Sequence, residues 1–157
     1  MMANAHMAVG ITSSLLVAKT LNVEFDIISV NQMVALGALG GLLPDIDHAN
    51  STLGQKIPIL PSLLTHRGIT HTVYFVAACA FLFSLLKLPV WMLLCFSVAI
   101  FSHILGDMLT PKGIKPFKIF RFFEYNFCIP VLKIPLAEKI IEIACYWMAM
   151  NLISFGI

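Results

Sequence analysis

The residues best equipped for chemistry in this chain are five histidines and three aspartates. His6 stands at the start of an apolar run, and Asp45, Asp47 and His48 follow another in LLPDIDH. His66 and His71 bracket HRGITH, and His103 and Asp107 stand four apart in HILGD. Neutral imidazole and carboxylate suit Zn, Mn or Fe, and no thiolate competes with them. A bound divalent ion lowers the pKa of water from about 16 toward about 7, which gives hydroxide at neutral pH. One such residue is as readily a satisfied core group. Seven or eight of them at the ends of four apolar stretches make a metal site the sharper reading. The expected ligands are His6, Asp45, Asp47, His66, His71, His103 and Asp107, for one or two ions. Asp45 or Asp47 can also serve as a base or as a bridge between ions. Arg67 carries a planar fork that clamps phosphate, although a topology charge or a headgroup contact explains it equally well.

Spacing supports convergence. His103 and Asp107 share one face of a helix, one turn apart. Asp45 and Asp47, after Pro44, point to the same side of an extended segment. His66 and His71 do not align on a single helix, but Gly68 permits a bend between them, and Thr70 is a plausible N-cap for the helix that follows. Ser51, Thr52 and Thr110 read first as caps or supporting hydrogen-bond groups.

The elements that must position these groups are apolar. Of the 157 residues 59% are hydrophobic and 11% charged, with mean hydropathy +0.92, where soluble domains carry roughly 25% charge. Five apolar stretches stand out, at 5–21, 30–44, 71–88, 90–110 and 138–157. A spanning helix takes ~20 apolar residues, so the prediction is an all-α, single-domain membrane bundle of four to five transmembrane helices, with a metal site at one membrane interface. Gly37 and Gly41 permit close helix packing, and Lys87 and Pro89 break the third helix from the fourth. The first stretch lacks a positive n-region and reads as a retained helix rather than a secretory signal. A net charge of +2 argues against a nucleic-acid binder. Cys79, Cys95, Cys128 and Cys145 form no C-x-x-C pair and read as small buried hydrophobes.

Two long connections remain, 45–70 and 111–137. The second interleaves Lys112, Lys115, Lys118 and Arg121 with Phe117, Phe120, Phe122 and Phe123, a composition suited to a membrane–water interface. The 111–139 segment holds six basic residues, whereas 22–29 holds Glu24 and Asp26 and none. Positive charge stays on the cytoplasmic side, so 1–5, 45–70 and 111–137, and the site with them, are expected there.

AHMAVG, GGLLPDIDH, HRGITHT and SHILGDMLTPKGI, in this order between hydrophobic helices, resemble the YdjM-like family of bacterial inner-membrane proteins. The resemblance covers about residues 3 to 116. It implies a LexA-regulated, membrane-bound, metal-dependent hydrolase of the SOS response, with His6, Asp45, Asp47, His66, His71, His103 and Asp107 at the motif positions. His48 carries over more weakly, and Glu138 is a further carboxylate near the last helix. The order of His, Asp, His and H-x-x-x-D is also similar to the helical zinc phospholipase C and P1-nuclease fold. The second H-x-x-x-[DE] pair of that pattern is absent here, which favours one or two ions over three.

The function so implied is hydrolysis of a phosphoester or related bond in a lipid or membrane-proximal substrate, with Zn the expected metal. The alternatives are a non-enzymatic metal-binding membrane protein and a small-ion or metal transporter. A transporter wants polar groups continuing through the outer halves of the helices, which here offer serines and no charge. A closed structural zinc site wants four ligands, fewer than the candidates present.

Overall fold

The helix α1 (Ala3–Thr20) is the axis around which the rest of the chain packs. It is flanked by α2 (Ile27–Leu42), α5 (Val90–Met108) and α6 (Pro135–Ser154), while α4 (Val73–Ser84) lies against α5. A short α3 (Ile59–Leu63) and 3-10 turns at Leu43–Asp47 and Ile69–His71 complete the regular elements. The computed structural model describes residues 1–118, 125–132 and 135–155. Among these no strand forms, and a single isolated bridge pairs Ile114 with Phe127. The regular architecture is all-α, as predicted.

A helix surrounded on several sides must be small or apolar all round, and α1 buries Ala5, Ala8, Ile11, Leu15 and Ala18. Its hydroxyls bond to backbone carbonyls instead of water. Thr12 donates to Ala8 and Cys145 at 2.9 Å each, and Ser14 donates to Met33 at 2.8 Å. The approach to α2 is closer than side chains allow. A Cβ on Gly37 would lie 2.6 Å from Ile11 Cα, and one on Gly41 would lie 2.5 Å from the His6 carbonyl oxygen. The G-x-x-x-G spacing is therefore a backbone-to-backbone contact, and it fixes His6 beside the end of α2.

Among the described residues two helices are long and apolar enough to cross a membrane, fewer than the four or five predicted. They are α2 with its following turn, Ile27–Asp47, and α5, Val90–Met108. The 71–88 stretch yields a helix of only 12 residues. It stops before Lys87, whose φ of 52° turns the chain into the Pro89 cap of α5. The helices α1 and α6 have the length, but polar residues dilute them: Asn4, His6 and Lys19 in one; Glu138, Lys139, Glu142 and Asn151 in the other. Large apolar side chains nonetheless face outward, including Phe81 and Leu82 on α4 and Ile140, Ile143 and Trp147 on α6. An apolar surface of that extent suits lipid better than water.

The described residues of the 111–132 return, 111–118 and 125–132, bond to the C-terminal end of α5. Ile129 N–H donates to Met108 at 2.9 Å and Leu132 N–H to Leu109 at 3.0 Å, so carbonyls at the helix end find partners. Ile114 and Leu132 are buried beneath it, while Phe117, Tyr125 and Phe127 remain exposed. Of the basic and aromatic residues expected at the interface, Phe120, Arg121, Phe122 and Phe123 lie outside the described residues.

Candidate metal centre

Four helix termini meet at one end of the bundle, and every predicted site residue lies where they meet. His6 comes from the first turns of α1, and Asp45 and Asp47 from the 3-10 turn after α2. His66 sits in the loop before the Ile69–His71 turn, and His103 and Asp107 lie in the last turns of α5. His6, Asp47, His71, His103 and Asp107 are all at most 3% exposed.

The two aspartates of D-x-D do not lie side by side. Pro44 and the turn that follows wind the segment into a 3-10 helix, where residues two apart point about 120° away from each other. This corrects the expectation of an extended segment, and it gives the carboxylates different partners around His71. Asp45 Oδ1 is 3.5 Å from His71 Nε2, while Asp47 Oδ2 is 3.4 Å from Nδ1 of the same ring. Asp47 has no oxygen to spare. Its Oδ1 meets His66 Nδ1 at 3.0 Å, and its Oδ2 accepts from the Arg67 backbone N–H at 3.0 Å and from the Thr70 hydroxyl. Thr70 is thus a site residue rather than a helix cap. The cap of α4 is Thr72, which accepts from the Phe75 N–H at 3.3 Å.

These contacts set the tautomers. The Thr70 hydroxyl donates to Asp47, so its oxygen accepts from His71 Nδ1, 3.0 Å away. His103 Nδ1 donates to the Gly41 carbonyl at 2.7 Å. Both rings therefore turn Nε2 inward, and the two nitrogens lie 3.3 Å apart. Around them stand Asp45 Oδ1, 3.6 Å from His103 Nε2, and Asp107 Oδ2, 3.5 Å from His71 Nε2. His6 stacks on His103 with ring centroids 3.6 Å apart and presents Nε2 to Asp107 Oδ1 at 3.2 Å. Its buried Nδ1 has no hydrogen-bond partner among the described residues.

Two imidazole nitrogens facing each other at 3.3 Å need either a proton or a metal ion between them. Two Zn–N bonds of about 2.0–2.1 Å at the tetrahedral angle place their nitrogens about 3.3–3.4 Å apart. Asp45, His71 and His103 thus fit a divalent ion. In a second grouping, His6, His103 and Asp107, and a third, Asp45, Asp47 and His66, the ligand atoms also lie within 4.8 Å of one another. The groupings share residues, so the end of the bundle is one continuous donor network. His71 precedes α4, outside the helices long enough to cross a membrane. Burial pulls its imidazolium down, but the carboxylates of Asp45 and Asp47 outweigh that and raise its pKa to about 9. Without a metal, a proton neutralises the cluster.

Arg67, expected as a phosphate clamp, is already engaged. Its Nη2 pairs with Asp107 at 3.1 Å, and Nη1 donates to Thr110 at 3.2 Å and to the Gly113 carbonyl at 3.0 Å. The residue adopts a φ of 59°, which lets its backbone N–H and guanidinium reach two different aspartates. Glu138 accepts from the Met2 N–H at 2.7 Å rather than joining the ligands. His48 tilts against His66, ring centroids 4.6 Å apart. His66, with its side chain 38% exposed, stands at the mouth of a cleft of about 470 Å³ that Asp45, Asp107 and Lys112 also line. The contributions of Gly41 and of the Arg67 backbone were beyond sequence reasoning, since any residue has a carbonyl and all but proline an N–H.

A family model for the YdjM inner membrane protein matches residues 1–154. The inner membrane protein YdjM of Escherichia coli (strain K12) is 38% identical over 82 residues, which cover 46% of this chain and 42% of that protein. The uncharacterized protein YvsG of Bacillus subtilis (strain 168) is 34% identical over 87 residues, 53% of this chain and 54% of that protein. The chain spans about half the length of the curated relatives it matches. No solved structure matches it. With the family model covering nearly every residue, including all four motifs that form the donor network, the chain belongs to the YdjM family of inner membrane proteins.

Proposed function

We propose that this protein is a membrane-seated, metal-dependent hydrolase that cleaves a phosphoester or related bond of a membrane-proximal substrate. The observation that carries the reading is the inward-facing pair His71 Nε2 and His103 Nε2, 3.3 Å apart beside Asp45 Oδ1, with each opposite nitrogen held by an oxygen acceptor. Asp45, His71 and His103 would hold one divalent ion, most naturally Zn, and His6 and Asp107 would contribute to a site for a second. Such an ion would supply Lewis acidity and a lowered pKa for water.

The residues around it divide the remaining work. Asp47 and Thr70 hold His71 in the ligating tautomer, and Gly41 does the same for His103. Arg67 orients Asp107 through its Nη2 contact. His66, which lines the cleft beside His48, is placed to pass a proton to a departing oxygen. An open cleft above the ligands favours catalysis over a closed structural ion.

Metal analysis of the purified protein beside His103→Ala and Asp45→Asn tests this, followed by turnover of a chromogenic phosphomonoester and a phosphodiester. One or two ions per chain, lost in both variants, and metal-dependent turnover are expected. Unchanged metal content in the variants would end the metal reading. Bound metal without turnover on any phosphoester would leave a non-enzymatic metal protein in its place.

A further inference from the structure

A second, larger cavity of about 790 Å³ opens beside the cleft and shares His66, Arg67 and Lys112 with it. Its lining is of two kinds. Leu63 and Ile69, both more than 60% exposed, line it together with Tyr74 and the buried Ile114. Lys112, Lys115 and Lys118 line it as well. A cavity lined by both apolar side chains and cations fits neither a wholly polar ligand nor a neutral hydrocarbon. Cationic side chains at a membrane surface attract anionic lipid headgroups, and an apolar trough takes the chains below them.

We propose that this groove seats an anionic phospholipid, its acyl portion along Leu63, Ile69 and Tyr74 and its phosphate beside the lysines. Three lysines beside apolar side chains in one lining favour this occupant over a zwitterionic lipid. The groove and the cleft meet at His66 and Arg67, so a lipid phosphate lying under Lys112 is presented toward the metal centre. The inference rests on the hydrolase reading for its consequence, but lipid retention is measured without turnover.

Native mass spectrometry of the detergent-purified protein, with dioleoyl phosphatidic acid or dioleoyl phosphatidylcholine added, reads the retained lipid. Phosphatidic acid is expected to be held at least tenfold more tightly. The variant Lys112→Glu/Lys115→Glu should abolish that preference, and Leu63→Glu should weaken retention of both lipids. Soluble glycerol 3-phosphate should not displace the lipid. Equal retention of the two lipids, wild-type retention by both variants, or displacement by glycerol 3-phosphate would each overturn the proposal; the last would assign the lysines to a free phosphate. His103→Ala should lose metal and keep the lipid preference, so a failed hydrolase and a failed groove give different results.

Discussion

At the scale of single residues, the division of labour between Asp45 and Asp47 sets what each substitution does. Asp45 faces the inward nitrogens of His71 and His103, whereas Asp47 faces the outer nitrogen of His71 and is saturated by His66, Arg67 and Thr70. Asp45→Asn is therefore expected to empty the site, and Asp47→Asn to weaken metal affinity roughly 10–100-fold without emptying it. Metal titration of the two variants checks the difference; equal losses would erase it. His71 supplies a pH signature. Its pKa of about 9 in the metal-free protein stands above the ordinary 6.5. Its contribution to stability is thus full below about pH 6.5 and disappears as pH rises through 9. Ligation needs the neutral ring, so metal binding at pH 7 should release a proton and tighten with pH until about 9. Calorimetry in two buffers of different ionisation enthalpy reads the proton release. The set of titratable groups was legible from their types and spacing, but their roles were not. A spacing of two reads the same on a strand and on a 3-10 turn, and only Pro44 and the packing beneath it choose between them.

At the scale of elements, the crossing of α1 and α2 holds the site at its correct span. Gly37→Ala puts a methyl group 2.6 Å from Ile11 Cα, and Gly41→Ala puts one 2.5 Å from the His6 carbonyl. Neither neighbour is a flexible side-chain end. Each change is expected to cost about 1–3 kcal/mol and to lower metal content as well, because His6 and the Gly41 carbonyl shift together. Thermal unfolding beside metal analysis tests this, and Thr72→Ala is the comparison. Loss of that cap should cost ~1 kcal/mol while metal content stays near wild type. The glycine spacing was visible in the sequence. Which of two threonines caps α4 was not, because Thr70 and Thr72 flank His71 symmetrically and only Asp47 draws Thr70 away.

At the scale of the whole molecule, helix content and the gathering of termini followed from apolar runs punctuated by Pro, Gly and polar residues. The number of spans did not follow. Hydropathy reads 71–88 as one long run, whereas the chain turns at Lys87 and forms a helix of 12 residues. Likewise α1 spends polar residues on the site and on interhelix hydroxyl bonds, which lowers its apolarity while it remains central to the bundle. From the bias of basic residues we propose that the site faces the cytoplasm. Single cysteines replacing Lys56 and Lys115, in a background with the native cysteines changed to serine or alanine, should react with a membrane-impermeant maleimide only after the cells are opened. Labelling in intact spheroplasts would invert the arrangement.

Arg67 spans the boundary between the two hollows at this end of the molecule. One of its terminal nitrogens holds the carboxylate of Asp107, and the other holds the Gly113 carbonyl on the return that edges the groove. A single guanidinium thus joins the two hollows. If the groove holds the proposed lipid, a guest that lifted the return would slacken the grip on Asp107, with no moving domain required.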